Sequence, residues 1–255
     1  MINEFFKMFD FLFKKKTAEL PELFFHTDVH CHIMPGVDHG SPDEDTSLKL
    51  IEGEQSWGIN RIVLTSHVTE STFENNPQTL AAGFDRLVRA VKAAGNSIKL
   101  AYSAEYRIDS LFMEQYKAGQ LVKFPDDYLL VENSFVQEPW GLDNLLFDLK
   151  ISGFKPIMAH PERFGYYHDD KKRYDALHQA GNLFQVNLLS LAGYHGTAPK
   201  KVAEWLVEQG YADFLGTDMH NMTHFEAIDK YLRSKDFKKL MPLLEKTVKN
   251  DTIKF

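Results

Sequence analysis

The sequence predicts an α/β fold, a single irregular barrel built from seven βα units, and three observations carry that expectation. From residue 24 onward short apolar runs alternate with longer amphipathic ones, which is the pattern of successive βα units around a parallel sheet. Each apolar run ends in a polar or metal-binding residue type; in parallel βα architectures the strand C-termini share one end of the sheet, where the loops carry the active site. A chain of 255 residues with 44% hydrophobic residues is long for an ordinary domain and normal for one α/β barrel. An open doubly wound sheet typically gathers residues from fewer strands at its switch point, and no GxGxxG follows the first strand.

Residues 1–22 precede this pattern as an N-terminal extension. Phe5, Phe6, Phe9, Leu12 and Phe13 fall on one face of a short amphipathic helix ending at Lys14, Lys15 and Lys16, where cations suit the helix dipole. Glu4, Lys7 and Asp10 interrupt the apolar residues, and no small-residue cleavage site appears, which argues against a signal peptide. The segment is also too short to span a bilayer. Two readings stay open for it: docking on the barrel or on a second subunit of an oligomer, and peripheral contact with an anionic membrane. Residues 23–255 are expected to form one barrel domain, closed by a C-terminal helix after Lys235 that turns Leu240, Leu243 and Leu244 inward.

The first strand runs to His32. His30 and His32 stand two apart, so both imidazoles leave the same side of the strand and reach one ion. Pro35, Gly36 and Gly40 mark the turn that returns His39 to the same region. Cys31 points to the opposite face as a small buried hydrophobe. As the only cysteine it excludes an intrachain disulfide, which fits a reducing, cytoplasmic setting. A helix starts near Pro42 and Asp43, carries Leu48, Ile51 and Trp57 among its apolar positions, and stops before Gly58. The second strand, RIVLTS, ends at His67, and the third, SIKLAYSA, at Glu105. YLLV ends at Glu132, KPIMA at His160, LFQV at Asn187, and ADFLGT at Asp218 and His220. The formal charge of −7 argues against a nucleic-acid partner, because phosphate binding needs clustered Lys and Arg.

Collected from the strand ends, His30, His32, His39, His67, Glu105, Glu132, His160, Asp218 and His220 make a nitrogen and oxygen ligand set without thiolate, suited to Zn, Mn, Fe or Ni. The set exceeds what one ion needs and is enough for a cluster of two or three. Three divalent ions against three ionised carboxylates leave a charge of about +3 before hydroxide binds. Such a site attracts an anion.

The stretches D-V-H-C-H-I-M-P-G-V-D-H-G, T-S-H, A-E-Y-R-I, L-L-V-E, A-H-P-E-R-F and G-T-D-M-H-N follow one another between positions 28 and 221. In this order they resemble the polymerase and histidinol phosphatase (PHP) superfamily, specifically the manganese-dependent protein-tyrosine phosphatases of bacterial capsule and exopolysaccharide clusters. The resemblance implies a distorted (β/α)7 TIM-like barrel of the PHP type with two or three divalent metal ions, Mn first and Fe or Zn as alternatives. It implies one ion on His30, His32, Glu105 and Asp218, a second on Glu105, Glu132 and His160, and a third on His39, His67 and His220. The capsule phosphatases usually carry V-D-D-G where this chain has V-D-H-G, so His39 stands where an aspartate is common. Asp38 beside it reads as a turn former, or as the ligand if the loop shifts by one residue.

The resemblance also supports Arg163 as the phosphate-binding guanidinium, with a structural pair to Glu162 as the plainer alternative. Arg107, two residues after Glu105, reads either as a second substrate contact or as a structural pair. A second arginine that some relatives carry after D-x-H-N is missing here, and His224 is the substitute in reach. Arg163, Asp218 and His220 are the candidate catalytic residues, His220 and His39 the side chains that could protonate the leaving oxygen. The expected chemistry is attack by a metal-bridging hydroxide on phosphorus, and no C-x5-R loop exists for cysteine-based catalysis. Phe135, Trp140, Phe164, Tyr166 and Tyr167 are candidates to wall the tyrosine ring, with ordinary barrel-loop packing the favoured reading for each. The implied substrate is the phosphotyrosine-bearing tail of a bacterial tyrosine kinase of polysaccharide export. Alternatives are a histidinol-phosphate or other small-molecule phosphatase of the same superfamily, an amidohydrolase, for which no Lys-centred strand end is visible, and a non-catalytic metal-binding scaffold.

Overall fold

Alternation of buried β-branched runs with capped amphipathic stretches produces the expected βα succession in the computed structural model, which describes residues 21–255. The predicted N-terminal helix lies outside the described residues. Strand β1 (Thr27–Cys31) leads into α1 (Glu44–Gln55), whose first turn is capped by Asp43 accepting from Thr46 N. The chain continues through β2 (Arg61–Leu64), β3 (His67–Val68), α2 (Pro77–Ala93), β4 (Lys99–Tyr102), β5 (Glu105–Arg107) and α3 (Ser110–Lys117). Next come β6 (Tyr128–Glu132), α4 (Leu142–Ile151), β7 (Lys155–Ala159), α5 (Lys171–Gln179), β8 (Leu183–Asn187) and α6 (Leu188–Leu191). The last elements are α7 (Thr197–Glu208), β9 (Phe214–Gly216), α8 (Met222–Leu232) and α9 (Lys235–Thr247). In α9, Leu240 and Leu244 are buried and Leu243 is half-buried, as its apolar spacing predicts.

All strand pairs are parallel, in a curled sheet of two parts ordered β1-β2-β4 and β3-β5-β6-β7-β8-β9. Two of the predicted strands are each broken in two, at Thr65–Ser66 and at Ser103–Ala104. Across the first break the Thr65 hydroxyl takes over ladder bonding, accepting from Cys31 N at 3.1 Å and donating to Cys31 O at 3.2 Å. Ser103 N donates to Leu64 O at 2.8 Å and Glu105 N to Thr65 O at 3.1 Å, so the neighbouring strand jogs in step. On the other side Asp218 N donates to His30 O at 2.7 Å and His32 N to Met219 O at 2.9 Å, which draws β1 against the end of β9. A side chain at Gly216 would put its Cβ 2.6 Å from the His30 Cβ, so that approach requires glycine.

The period-2 alternation sorts the strand residues into two layers. Val29, Val63, Leu130, Ile157, Ala159 and Phe214 pack together inside the curl, while Ile62, Leu64, Leu129, Val131 and Met158 join the larger cluster shared with the helices. Cys31 is fully buried in that larger cluster, as predicted. At the N-terminal end of the strands, Asn250 bonds Thr27 O, Leu215 O and Leu215 N, closing the base. Among the described residues no helix is long and apolar enough to cross a membrane.

Candidate metal centre

The parallel register brings the strand ends together. His67 pairs with Glu105 and Arg107 with Glu132 across neighbouring strands, which is why His67 Nδ1 lies 3.0 Å from Glu105 Oε2 and Arg107 Nε donates to Glu132 Oε2 at 2.6 Å. His30 Nε2 and His32 Nε2 face each other at 3.2 Å. Both converge on Glu105 Oε2, at 3.5 and 3.3 Å, and on Asp218 Oδ1, at 3.6 and 3.3 Å. His160 Nε2 sits 2.8 Å from Glu105 Oε1 and 3.5 Å from Glu132 Oε1. His32, His67 and His220 form a further group whose ligand atoms lie within 4.8 Å of one another. His39 belongs to no such group, but its ring stacks on those of His67 and His220 at 4.9 and 4.6 Å.

The donor set fits divalent metal ions. Two imidazole nitrogens that face each other at hydrogen-bond distance cannot both carry protons, so at least one lone pair points at the shared centre. His220 Nδ1 donates to Asp218 O at 2.8 Å, which leaves Nε2 bare, and that buried nitrogen has no protein hydrogen-bond partner. Outside the cluster, partners fix the second ring nitrogens of His30 and His32, as metal-ligating histidines require. His30 Nδ1 donates to Gln185 Oε1 at 2.6 Å. His32 Nδ1 donates to Asp38 Oδ2 at 2.9 Å, and the same carboxylate accepts from His67 N and Gly40 N.

Burial and mutual charge set the proton affinities. Burial pushes the Asp218 and Glu105 carboxyls up, but the surrounding histidines outweigh it and hold both well below the usual carboxylate range. Glu132 goes the other way, to about 8, because burial and the Glu105 charge outweigh Arg107. Burial, helped by the Arg163 charge, holds His160 neutral down to about pH 4. Two of these residues also carry backbone strain: His160 and Asp218 have φ of 31° and 49°, left-handed values that cost a β-carbon residue about 1–3 kcal/mol each. The ends of β7 and β9 bend there to aim both side chains inward.

A cavity of about 560 Å³ opens over the cluster. Arg107, Arg163, His39, His67, Asp218 and His220 line it, together with Phe73, Phe135, His195 and His224. Arg163 pairs with Asp218, Nη1 donating to Oδ2 at 2.9 Å. The alternative partner Glu162 turns away and accepts from Asn187 N instead. Both guanidinium carbons stand over the half-exposed Phe135 ring, Arg107 at 5.1 Å and Arg163 at 4.9 Å, a cation–π arrangement. Of the five aromatic candidates only Phe135 lines the cavity. Phe164 and Tyr167 are buried in packing, Tyr166 donates its hydroxyl to Ser134 O, and Trp140 stands fully exposed elsewhere. His224, the predicted substitute for the missing arginine, is in the wall, its Nδ1 accepting from His220 N at 3.3 Å.

Sequence reasoning missed Phe73, Gln185 and His195 and named Asn187 only as a strand end. Phe73 stacks on His67 from the loop after β3, 5.6 Å away. Gln185 and Asn187 form a polar chain, Gln185 Nε2 donating to Asn187 Oδ1 and Asn187 Nδ2 to Asp218 Oδ2. His195 hangs over the cavity from the loop after α6, hydrogen-bonded through Nδ1 to Ser190 Oγ. For Gln185 the period-2 spacing to the strand end at Asn187 was an available signal.

A curled parallel sheet of this kind is similar to folds of the amidohydrolase and PHP type. Within that class the chain belongs to the CpsB/CapC family of capsular polysaccharide synthesis, whose pattern matches residues 26–247. It is 28% identical over 235 residues to the tyrosine-protein phosphatase YwqE of Bacillus subtilis, covering 89% of this chain and 92% of that protein. It is 29% identical over 212 residues to the tyrosine-protein phosphatase CpsB of Streptococcus pneumoniae, covering 76% and 83%. A crystal structure from the pair YwqE of B. subtilis and CpsB of S. pneumoniae, described as unique metal-dependent tyrosine phosphatases, superposes with a TM-score of 0.74. It shares 26% identity, over 88% of this chain and 95% of that one.

Proposed function

We propose that this chain is a metal-dependent phosphatase that hydrolyses phosphotyrosine in proteins, as the names of its relatives describe them. The observation that carries the reading is the convergence on one cavity of a buried His/Asp/Glu cluster, two guanidinium groups and two aromatic rings. His30, His32, Glu105 and Asp218 would hold one ion, Glu105, Glu132 and His160 a second, and His67 and His220, with His39 stacked on both, a third. Manganese is the first choice of ion, Fe or Zn the next. Bound there, divalent ions supply Lewis acidity, activating water and offsetting the charge of the phosphoryl oxygens.

The protein's own groups orient the ester. Arg163 keeps N–H donors beyond the one bonded to Asp218 and directs them at the phosphoryl oxygens, and Arg107 approaches from the Glu132 side. Phe135 and Phe73 stand in different walls of the cavity and take the flat face of a tyrosine ring. A phenolate leaving group, of ordinary pKa about 10, needs less protonation than a serine alkoxide, and His39 is the side chain that supplies it, because the one proton of the neutral His220 ring is held by Asp218 O. The substrate is the phosphotyrosine-bearing tail of a bacterial tyrosine kinase, since a flexible segment reaches a recessed cluster more readily than a folded one. We further propose that the two sheet parts complete a distorted (β/α)7 barrel spanning 23–255, with 1–22 as an extension, and that the protein acts in the cytoplasm.

The deciding experiment compares a phosphotyrosine peptide, a phosphoserine peptide and histidinol phosphate, using chelated protein reconstituted with Mn, Zn or Fe. Metal-dependent preference for phosphotyrosine supports the reading. Preference for histidinol phosphate would replace the substrate, and inactivity with full metal loading would leave a binding scaffold.

A further inference from the structure

A second opening, of about 450 Å³, lies between α3 and α4. Its wall is apolar, from Ile108, Met113, Pro139, Trp140 and Leu145, and the charged side chains that line it, Asp109 and Asp148, are both acidic. Trp140 is wholly exposed at 102% of its reference area and Val136, on the same loop, is exposed at 85%. An indole held in water at a groove edge is a contact surface without a contact.

Two covalent connections join this groove to the catalytic cavity. Arg107 lines the cavity and the next residue, Ile108, lines the groove. The loop between β6 and α4 likewise puts Phe135 in the cavity wall and Pro139 and Trp140 at the groove edge. A polypeptide that places one side chain in the cavity therefore passes the groove within a few residues, at about 3.3 Å per extended residue. Asp109 is engaged by Phe112 N and Glu70 N, so the exposed Asp148 is the carboxylate that selects a cation, and the apolar floor selects a hydrophobic side chain.

We propose that this groove is a docking subsite for the stretch of the polypeptide substrate flanking its phosphotyrosine, and that it takes an apolar side chain accompanied by a Lys or Arg. The inference rests on the phosphatase reading and specifies its substrate class. Trp140 and Asp148 are both exposed, so substitutions there leave the fold and the metal cluster alone.

The test measures steady-state kinetics of the metal-loaded wild type, Trp140→Ala and Asp148→Lys on three probes: para-nitrophenyl phosphate, a phosphotyrosine peptide flanked by Leu and Lys, and one flanked by Gly. Trp140→Ala is expected to leave kcat/KM for the small aryl phosphate unchanged and to raise KM for the Leu/Lys peptide about tenfold with kcat unaltered. The Gly-flanked peptide is expected to be indifferent to the change. Asp148→Lys is expected to raise KM for the Leu/Lys peptide and to leave the small aryl phosphate unchanged. Equal KM for wild type and Trp140→Ala on the Leu/Lys peptide would overturn the proposal. So would a Trp140→Ala effect confined to oligomeric state or to binding of anionic vesicles, which would assign the surface to a second copy or a membrane. Wild-type protein inert toward all three probes would defeat the phosphatase reading instead, and fluorescence anisotropy of the Leu/Lys peptide against wild type and Trp140→Ala would still decide the groove.

Discussion

Replacing Asp38 by Asn removes one acceptor from a carboxylate whose two oxygens are both in use. Its Oδ1 accepts from Gly40 N at 2.9 Å, and its Oδ2 accepts from His67 N at 3.0 Å and from His32 Nδ1 at 2.9 Å. An amide in the same place puts an NH2 against one of these sides. The less damaging orientation opposes Gly40 N–H, and one unmade, partly buried hydrogen bond costs about 1–3 kcal/mol. The other orientation opposes two donors and frees the His32 ring to rotate. Burial pushes the Asp38 carboxyl up, yet His32, His67 and the Gly40 amide hold it below the ordinary range, so Asn also loses a charge that fixes the tautomer of His32. Outer partners of metal-binding histidines typically contribute 10–100-fold to metal affinity, about 1.4–2.7 kcal/mol. Chelator competition with Mn-loaded protein should show that loss, and urea denaturation of the same samples should show a lower midpoint. An Asn variant with wild-type metal retention and a wild-type midpoint would refute the assignment of Asp38 as the group that orients His32.

Arg163→Ala should lower kcat/KM on para-nitrophenyl phosphate on the order of 100-fold or more. Arg163→Lys should recover little, because an ammonium cannot hold Asp218 and a phosphoryl oxygen with one planar fork. Gly40→Ala should cost about 1–3 kcal/mol, read as a fall in Tm, since the new Cβ would lie 1.9 Å from His32 O and 2.9 Å from Asp38 Oδ1. Asp213, away from the cluster, predicts a pH dependence. Burial raises its pKa, but bonds from His178, Lys249 and Phe184 N outweigh that and lower it. Its contribution is therefore complete above the unfolded carboxylate pKa of about 3.9 and fades as pH falls through the folded value. Asp213→Asn should flatten the acid side of a stability profile measured by denaturation between pH 5 and pH 3.

The inward-facing candidate ligands were legible because their spacing follows backbone geometry. His30 and His32 share a face by period 2, and Glu105, Glu132, His160 and Asp218 follow apolar runs whose ends must meet if the sheet is parallel. What was illegible depends on partners far along the chain. Asp38 read as a turn former or a shifted ligand; it does close the turn, through Gly40, but its second oxygen serves His32 and His67. The pairing of Arg163 with Asp218 instead of Glu162 follows from the backbone bend at His160, with φ of 31°, which no propensity for an X-Pro pair announces. The strand breaks at Thr65 and Ser103 were hidden because hydroxyl residues at the end of an apolar run read as its continuation. Trp140 was a candidate for the ring wall on aromatic character alone, with loop packing favoured, and its loop carries it past the cavity edge.

The pairing of Arg107 with Glu132 and of Arg163 with Asp218 has a thermodynamic corollary. Each guanidinium holds one oxygen of a carboxylate whose other oxygen faces the histidines: Arg107 takes Glu132 Oε2 and Arg163 takes Asp218 Oδ2, while Glu132 Oε1 faces His160 and Asp218 Oδ1 faces His30 and His32. A cation on the inner oxygens would leave both arginines in place, their remaining donors facing the cavity, and its charge would favour an anion there. Occupancy by the cation and by the phosphoryl group is then positively linked, and linkage is reciprocal: the factor by which manganese tightens an unreactive phosphate analogue is the factor by which that analogue slows the protein's surrender of manganese to a chelator.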